Sequence, residues 1–352
     1  MAAPVSHLVS YPAWQDWMET LLGGMSRQRY AATFPPDRFY CLLDELPLHL
    51  IPQPAQKLLR LPSDQKRRWF LNPECSVHAA GDLPEELALQ PELVSRFAQE
   101  GTVAWVRNPV AGTLLPFWLG PPLMEVMKAL RPYQELPSSV PDRLRRLLVA
   151  ADILIPGDGA EGRGLQWNQR MARLGSHFRQ KAYVPIADLI HPFQVAALRR
   201  YYRHLIRTSA ISLGDGQSPR RYAAYKEPVA RFFHQQIRAT LSAVAGQQLQ
   251  PSYVYLASYL SGAELRKHTD REQCEFSVTL CLDFCPEPTL ESPWPIRLDT
   301  AAGAVAVHQA LGDGLAYRGT KVPHYRDVLG EGQTSTSIFF HYVAEDFAGS
   351  LD

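Results

Sequence analysis

The stretch YLSGAELRKHTDREQCEFSVTLCLDF, residues 259–284, decides how the chain reads. An aromatic, apolar strand end gives way to a polar turn with a glycine. His268-Thr269-Asp270 follows, and then a run of β-branched and aromatic residues begins. Residues two apart on extended backbone project to the same side, so the imidazole and the carboxylate of this H-x-D can reach one cation together. The pair means little alone, because 11 histidines and 35 acidic residues in 352 positions make about one such spacing expected by chance. His324, 56 residues further on, follows GDGLAYRGTKVP and precedes a last strand, and it supplies a third ligand. Two histidines and one carboxylate on one face leave three coordination positions open, which suits Fe(II) binding a chelating cosubstrate and dioxygen. His341, inside FFHYV, reads as packing or substrate contact.

Around this stretch the periodicity is that of strands. From Ser252 onward YVYLASYL, EFSVTLCLDF, GAVAVH, GLAYRG and TSIFFHYV are separated by Gly, Pro and Asp, as in an all-β sandwich or barrel. Two helices precede them. HPFQVAALRRYYRHLIRT carries Val195, Leu198, Tyr202, Leu205 and Ile206 on one face, and EPVARFFHQQIRATLSAVAG closes at Gly246 as C-cap. GDGAEGRG, residues 157–164, has four glycines and no large apolar side chain, and reads as a flexible linker. Upstream, GTVAWVRNP and GTLLPFWL form a hairpin, followed by two helical patterns that open at Pro122 and Pro141. The expected division is an irregular, helical region over 1–82, an accessory module over 83–157, a linker over 158–181 and the β domain over 182–352.

The segment order over about 182–346 resembles the Fe(II)/2-oxoglutarate-dependent oxygenases, nearest to their prolyl-hydroxylase-like branch. The matching residues are Tyr259 through Gly262, Leu265, His268, Asp270, Gly312-Asp313-Gly314, His324 and the terminal strand SIFFHYV. The resemblance implies an α+β chain whose C-terminal domain is a double-stranded β-helix of the jelly-roll, cupin-like kind with bracing helices. It also implies iron held by His268, Asp270 and His324, with 2-oxoglutarate as cosubstrate, O2 as oxidant, and hydroxylation of an unactivated C–H bond. Tyr259 is then a cosubstrate contact. One position departs from the pattern: the family's basic residue about ten places after the distal histidine is here Thr334. A buried dicarboxylate still needs a cation, and arginine matches a carboxylate in two-point fashion. Arg326 and Arg318, two and six places from His324, are the candidates, with Lys321 and Arg297 behind them. Which of Ser335/Ser337 and Thr334/Thr336 faces inward stays open. Residues 83–157 resemble a winged-helix module and, more loosely, the peptide-binding domain of pyrroloquinoline quinone biosynthesis. That likeness implies a peptide or protein partner and a substrate that is a peptide side chain or a carried amino acid. The alternatives are a free amino acid or small metabolite, or a barrel that binds metal or ligand without turnover.

Composition narrows the partners. With 36 basic and 35 acidic residues the net charge is +1, which gives no field to gather nucleic acid or an anionic membrane. No apolar run is long enough for a membrane span, and no secretory signal is visible, so a cytoplasmic protein is expected. The five cysteines (41, 75, 274, 281 and 285) have no paired spacing and read as free thiols.

Overall fold

A computed structural model describes residues 30–53, 68–79, 81–108, 110–131, 134–157 and 160–352. Short helical turns expected over 1–29 and 54–67 lie outside the described residues. In the N-terminal half, β1 (Trp69–Leu71), β2 (Cys75–His78), α1 (Glu85–Ala88), β3 (Thr102–Arg107), β4 (Leu114–Leu119), α2 (Pro121–Ala129), α3 (Asp142–Ala150) and β5 (Leu154–Pro156) occur in turn. Strands β2, β3 and β4 make an antiparallel sheet, and β1 pairs with β5. The expected hairpin is β3–β4. The expected helices begin one residue from their prolines, at Pro121 and Asp142.

The linker expected over 158–181 is corrected by α4 (Ala160–Lys181), a helix of 22 residues. Beyond Gly164 the residues are mostly helix formers, with Met171 and Phe178 buried two turns apart on one face and Arg179 and Lys181 in the last turn, where the helix dipole favours cations. Gly164 itself has no neighbour within 4 Å of where a Cβ would stand, so it costs propensity but no packing. Clustered glycines favour a linker only when that segment is read alone; the helix formers downstream, and their burial, outweigh them.

After β6 (Tyr183–Ile186) come α5 (Pro192–Arg207), β7 (Ser212–Leu213), β8 (Arg221–Tyr225), α6 (Pro228–Gln236) and α7 (Arg238–Ala245). The last two were expected as one helix and break at Ile237; the chain then leaves α7 through Gly246 at φ 74°, whose N–H donates to Ser242 O. Eight strands complete the chain: β9 (Leu249–Leu260), β10 (Leu265–His268), β11 (Phe276–Cys285), β12 (Ile296–Thr300), β13 (Gly303–Val307), β14 (Gly314–Arg318), β15 (His324–Arg326) and β16 (Thr334–Ala344). They divide between two sheets. The larger has the order β6-β14-β11-β16-β9-β8-β7 and the smaller β10-β15-β12-β13, with every pairing antiparallel. This jelly-roll order is that of a double-stranded β-helix.

The larger sheet is apolar on both faces, and alternation sorts its side chains. Val254, Leu256, Val278, Leu280, Ile338 and Phe340 turn outward and share one core with Phe193, Leu198, Phe232 and Phe233 of the helices. Ala257, Tyr259, Cys281 and Phe339 turn inward and meet Trp294, Leu311 and Leu329. The outer core runs without interruption into the N-terminal half: Phe97, just before β3, lies 5.0 Å from Phe232, and Phe39 lies 5.7 Å from Phe233, ring to ring. Residues 83–157 are therefore packed onto the helices that back the barrel. Among the described residues no helix is long and apolar enough to cross a membrane.

A bulge near Asp283 turns its carboxylate outward, where Arg199 of α5 donates Nε to it at 2.9 Å and Arg203 adds two contacts. Arg199 is wholly buried and also meets Leu50 O at 2.6 Å and Glu287 at 2.7 Å, so its charge is fully answered. Removing Asp283 leaves Arg199 with Glu287 and Leu50 O but takes one charged acceptor from it and from Arg203, at about 1–3 kcal/mol. Asp283→Ala is accordingly expected to lower the unfolding free energy by about that amount in urea denaturation, whereas a loss below ~1 kcal/mol would place the ion cluster among contacts that solvent can replace.

Candidate metal centre

Strand β10 ends on His268, β15 begins on His324, and the two residues are direct partners across the smaller sheet, with ring centroids 4.3 Å apart. Asp270 follows β10, where its N–H donates to Gly319 O at 2.9 Å. That bond sets the carboxylate between the imidazoles, Oδ1 standing 3.5 Å from His268 Nε2 and 3.4 Å from His324 Nε2. The three residues present one ligand atom each, all within 4.8 Å of one another.

The hydrogen bonds assign the tautomers. His268 Nδ1 lies 2.7 Å from Arg266 O and His324 Nδ1 lies 3.0 Å from Val322 O. Carbonyls only accept, so both Nδ1 atoms carry a hydrogen, and Nε2 of each ring is the atom that faces the carboxylate, donating to it when protonated and offering a lone pair to a metal when not. Asp270 Oδ2 accepts from Ser277 Oγ at 2.7 Å, and Ser277 also contacts His341 Nδ1 at 2.9 Å. Burial pushes the Asp270 carboxyl up, and the bonds from His268 and His324 more than reverse this, holding it well below the usual carboxylate range. Asp270 in turn raises His268, against the effect of burial. His341 is drawn down to about 4 by burial. Gly319 is required by close approach: a Cβ there would collide with Asp270 Oδ2, Cys274 O and Ser277 Oγ.

The other expected residues separate clearly. Arg326 is buried inside the barrel, two residues along β15 and on the same side as His324. Its Nη1 donates to Trp294 O at 2.7 Å and its guanidinium covers the Trp294 ring at 4.6 Å. Among the described residues no acid pairs with it, and its Nε is buried with no partner. Burial pulls its pKa below the ordinary value, and its charge is felt by Cys281, Tyr259 and Tyr317. Arg318 turns the other way: it pairs with Glu275 at 2.9 Å and covers the outward-facing Phe276, because Tyr317 beside it takes the inner side. Arg297 is spent on Asp327 at the rim, and Lys321 is exposed. Tyr259 is buried on the inner face, its hydroxyl accepting from Arg221 Nη1 at 3.3 Å. Strand pairing also answers the question of parity. Ser335 and Ser337 are partners of the inward residues Tyr259 and Ala257, while Thr336 meets Ser258 outside at 2.8 Å. Ser337 Oγ is the second buried inner group without a partner.

Ser277, Trp294 and Arg221 are further participants, and His341, read from the sequence as packing or substrate contact, joins them. Ser277 and His341 brace Asp270 from two other strands, Trp294 seats Arg326, and Arg221 reaches inward from β8. No spacing in the sequence marks them, because Ser277 meets His341 across one strand pairing, Arg221 meets Tyr259 across another, and Trp294 comes from the loop before β12.

The charge pattern fixes the behaviour without metal. His268 has a raised pKa, so its share of stability is fully present below about 6.5 and is lost as pH rises through the folded value. Asp270 is depressed, so its share is present above about 3.9 and lost as pH falls through its folded value. Metal-free protein is therefore expected to lose stability as the pH rises past neutrality, and Asp270→Asn to remove that decline. Urea denaturation in chelator across this range checks it; equal alkaline slopes in both proteins would contradict the assignment.

No protein-family model and no curated protein matches this sequence. Among solved structures, the chain is similar to the non-haem α-ketoglutarate-dependent epimerase SnoN from nogalamycin biosynthesis, at 14% identity over 50% of this chain and 83% of that one, with a TM-score of 0.43. It is similar to a prolyl-4-hydroxylase from Pseudomonas putida at 18% identity over 49% and 98%, TM-score 0.40. HygX from Streptomyces hygroscopicus, solved with nickel, 2-oxoglutarate and hygromycin B, matches at 12% over 50% and 88%, TM-score 0.41. These are partial likenesses, confined to about half of this chain.

Proposed function

We propose that the chain is a mononuclear non-haem Fe(II) oxygenase that consumes 2-oxoglutarate and O2, with His268, Asp270 and His324 as iron ligands and Arg326 as the clamp for the far carboxylate of the cosubstrate. The observation that carries this reading is Arg326, a buried guanidinium with one orphaned N–H and no acid beside it, on the same face of the same strand as His324. Leaving such a charge unanswered is costly, so the site calls for an anion. A barrel that binds no ligand has no need of it. Ser337, a second buried group on the inner face without a partner, adds a hydroxyl donor to the same interior. The donor set fits iron as well: two imidazole nitrogens and one carboxylate oxygen on one face, with the rest of the coordination sphere open.

Iron with 2-oxoglutarate bound supplies the oxidation, one oxygen atom of O2 ending in succinate, the other in the hydroxylated product, with CO2 released. The chain does the positioning. His268 and His324 are aimed by the carbonyls of Arg266 and Val322, and Ser277 holds the remaining oxygen of Asp270. Tyr259 and Trp294 wall the cosubstrate space, and Phe339 and Leu311 keep water from the inner barrel. No side-chain general base is needed.

For the substrate we favour an unactivated C–H bond in a peptide or protein side chain, or in a carried amino acid. What supports this is the openness of the centre on one side: the His268 side chain is 39% exposed, so a bulky substrate has access.

His268→Ala, Asp270→Ala and His324→Ala are each expected to abolish iron-dependent conversion of 2-oxoglutarate to succinate; unchanged succinate formation in any of them would remove that ligand. Arg326→Met should weaken 2-oxoglutarate binding by about 30- to 150-fold, the equivalent of roughly 2–3 kcal/mol, while leaving iron binding intact. An unaltered KM for 2-oxoglutarate would transfer the clamp to another residue. Peptide mixtures that gain no oxygen atom during turnover, set against a free amino acid that does, would reverse the choice of substrate.

A further inference from the structure

We propose that Arg271, the residue after Asp270, anchors a carboxylate of the substrate, whose body then lies along the tyrosines beside it. Arg271 is extended backbone just before the 3-10 turn Glu272–Cys274, and its guanidinium reaches over to β9. There it covers the Tyr253 ring at 4.7 Å and donates Nε to the Tyr253 hydroxyl at 3.3 Å. Tyr253 belongs to the inner face of the larger sheet: its neighbour Val254 is in the outer core, and its own ring lies 4.6 Å from that of His341, which contacts Ser277 behind Asp270. Tyr225, at the end of β8, stands 5.2 Å from Tyr253, ring to ring, and is half-exposed. A cation and an aromatic strip thus flank the metal centre on the side that solvent reaches.

The charge of Arg271 is unanswered. Among the described residues no acid pairs with it, whereas Arg221 has Asp215, Arg318 has Glu275 and Arg297 has Asp327. The groups that do stand against it, the Tyr253 hydroxyl and the Cys274 thiol, are neutral, because burial pushes the thiol up to about 12 and the hydroxyl above its ordinary range. Stacking on one tyrosine and the single Nε bond hold the guanidinium in place, so its fork loses little freedom when it meets a carboxylate in two-point fashion. Lys226, which lies over the Tyr225 ring, is paired with Asp352. One free positive charge suits a monoanion, and so a carboxylate rather than a phosphate. The tyrosine rings offer flat, amphipathic area for the rest of the molecule.

The inference rests on the metal centre proposed above, because the place of Arg271 beside Asp270 is what makes it a substrate contact. Protein loaded with nickel(II) in place of iron and saturated with 2-oxoglutarate allows binding to be read by calorimetry without turnover. Two pairs of probes differ only in charge: N-acetylphenylalanine against its amide, and acetyl-Ala-Glu-Ala-amide against acetyl-Ala-Gln-Ala-amide. At least one acid is expected to bind roughly ten-fold or more tightly than its neutral counterpart, the first pair marking a free α-carboxylate and the second an acidic residue within a peptide. Arg271→Gln should abolish the difference and Arg271→Lys restore part of it, with 2-oxoglutarate still bound in both. Equal affinities within both pairs overturn the anchor and leave the metal centre standing, and so does a preference that survives in Arg271→Gln. Failure of 2-oxoglutarate to bind the unaltered nickel-loaded protein ends both assignments.

Discussion

The arrangement depends on one buried carboxylate between two imidazoles. Asp270 would be expensive to keep ionised inside protein, and it is kept so by groups from three directions: His268 just before it, His324 across the smaller sheet, and Ser277 on the larger one. The histidines can meet it because β10 and β15 pair in register at those residues. Gly319 leaves the room that the carboxylate occupies. The two-sheet construction is what allows one point in space to draw on strands far apart in the chain.

Two buried arginines show how structural and ligand-directed charges differ. Arg199, outside the larger sheet, has every nitrogen answered by Asp283, Glu287 or Leu50 O, and it ties the bracing helix to the barrel. Arg326, inside, has one carbonyl and an aromatic face, and an N–H left over. Buried polar groups are nearly always satisfied, and the proposed clamp rests on this exception inside the barrel. The sidedness of the sheet separates these roles: helices and the accessory strands cover the outer face, and the inner face keeps its polar groups for the cavity.

The same sidedness explains the uneven legibility of the sequence. Five of the eight barrel strands (β9, β11, β13, β14 and β16) and the bracing helices are readable because their apolar runs and helical stripes are local signals, whereas β10, β12 and β15 are short and polar; the H-x-D with its distant histidine is readable from its spacing, although Asp270 lies just past the end of β10. The helix over 160–181 is hidden because glycines at its start carry a strong local signal, while the burial of Met171 and Phe178 that stabilises it depends on partners elsewhere in the chain. Arg318 and Arg326 are equally eligible by spacing.

By itself the sequence determined the longer apolar strands, the bracing helices and the three residues able to meet at one cation, since backbone periodicity dictates which side chains share a face. Only the tertiary structure decided which arginine enters the barrel, that Ser335 and Ser337 rather than their threonine neighbours face inward, and that Ser277, Cys274 and His341 gather behind Asp270. Those outcomes depend on strand register and on which sheet a residue faces, and register is set by the packing of whole sheets rather than by any residue's neighbours in the chain.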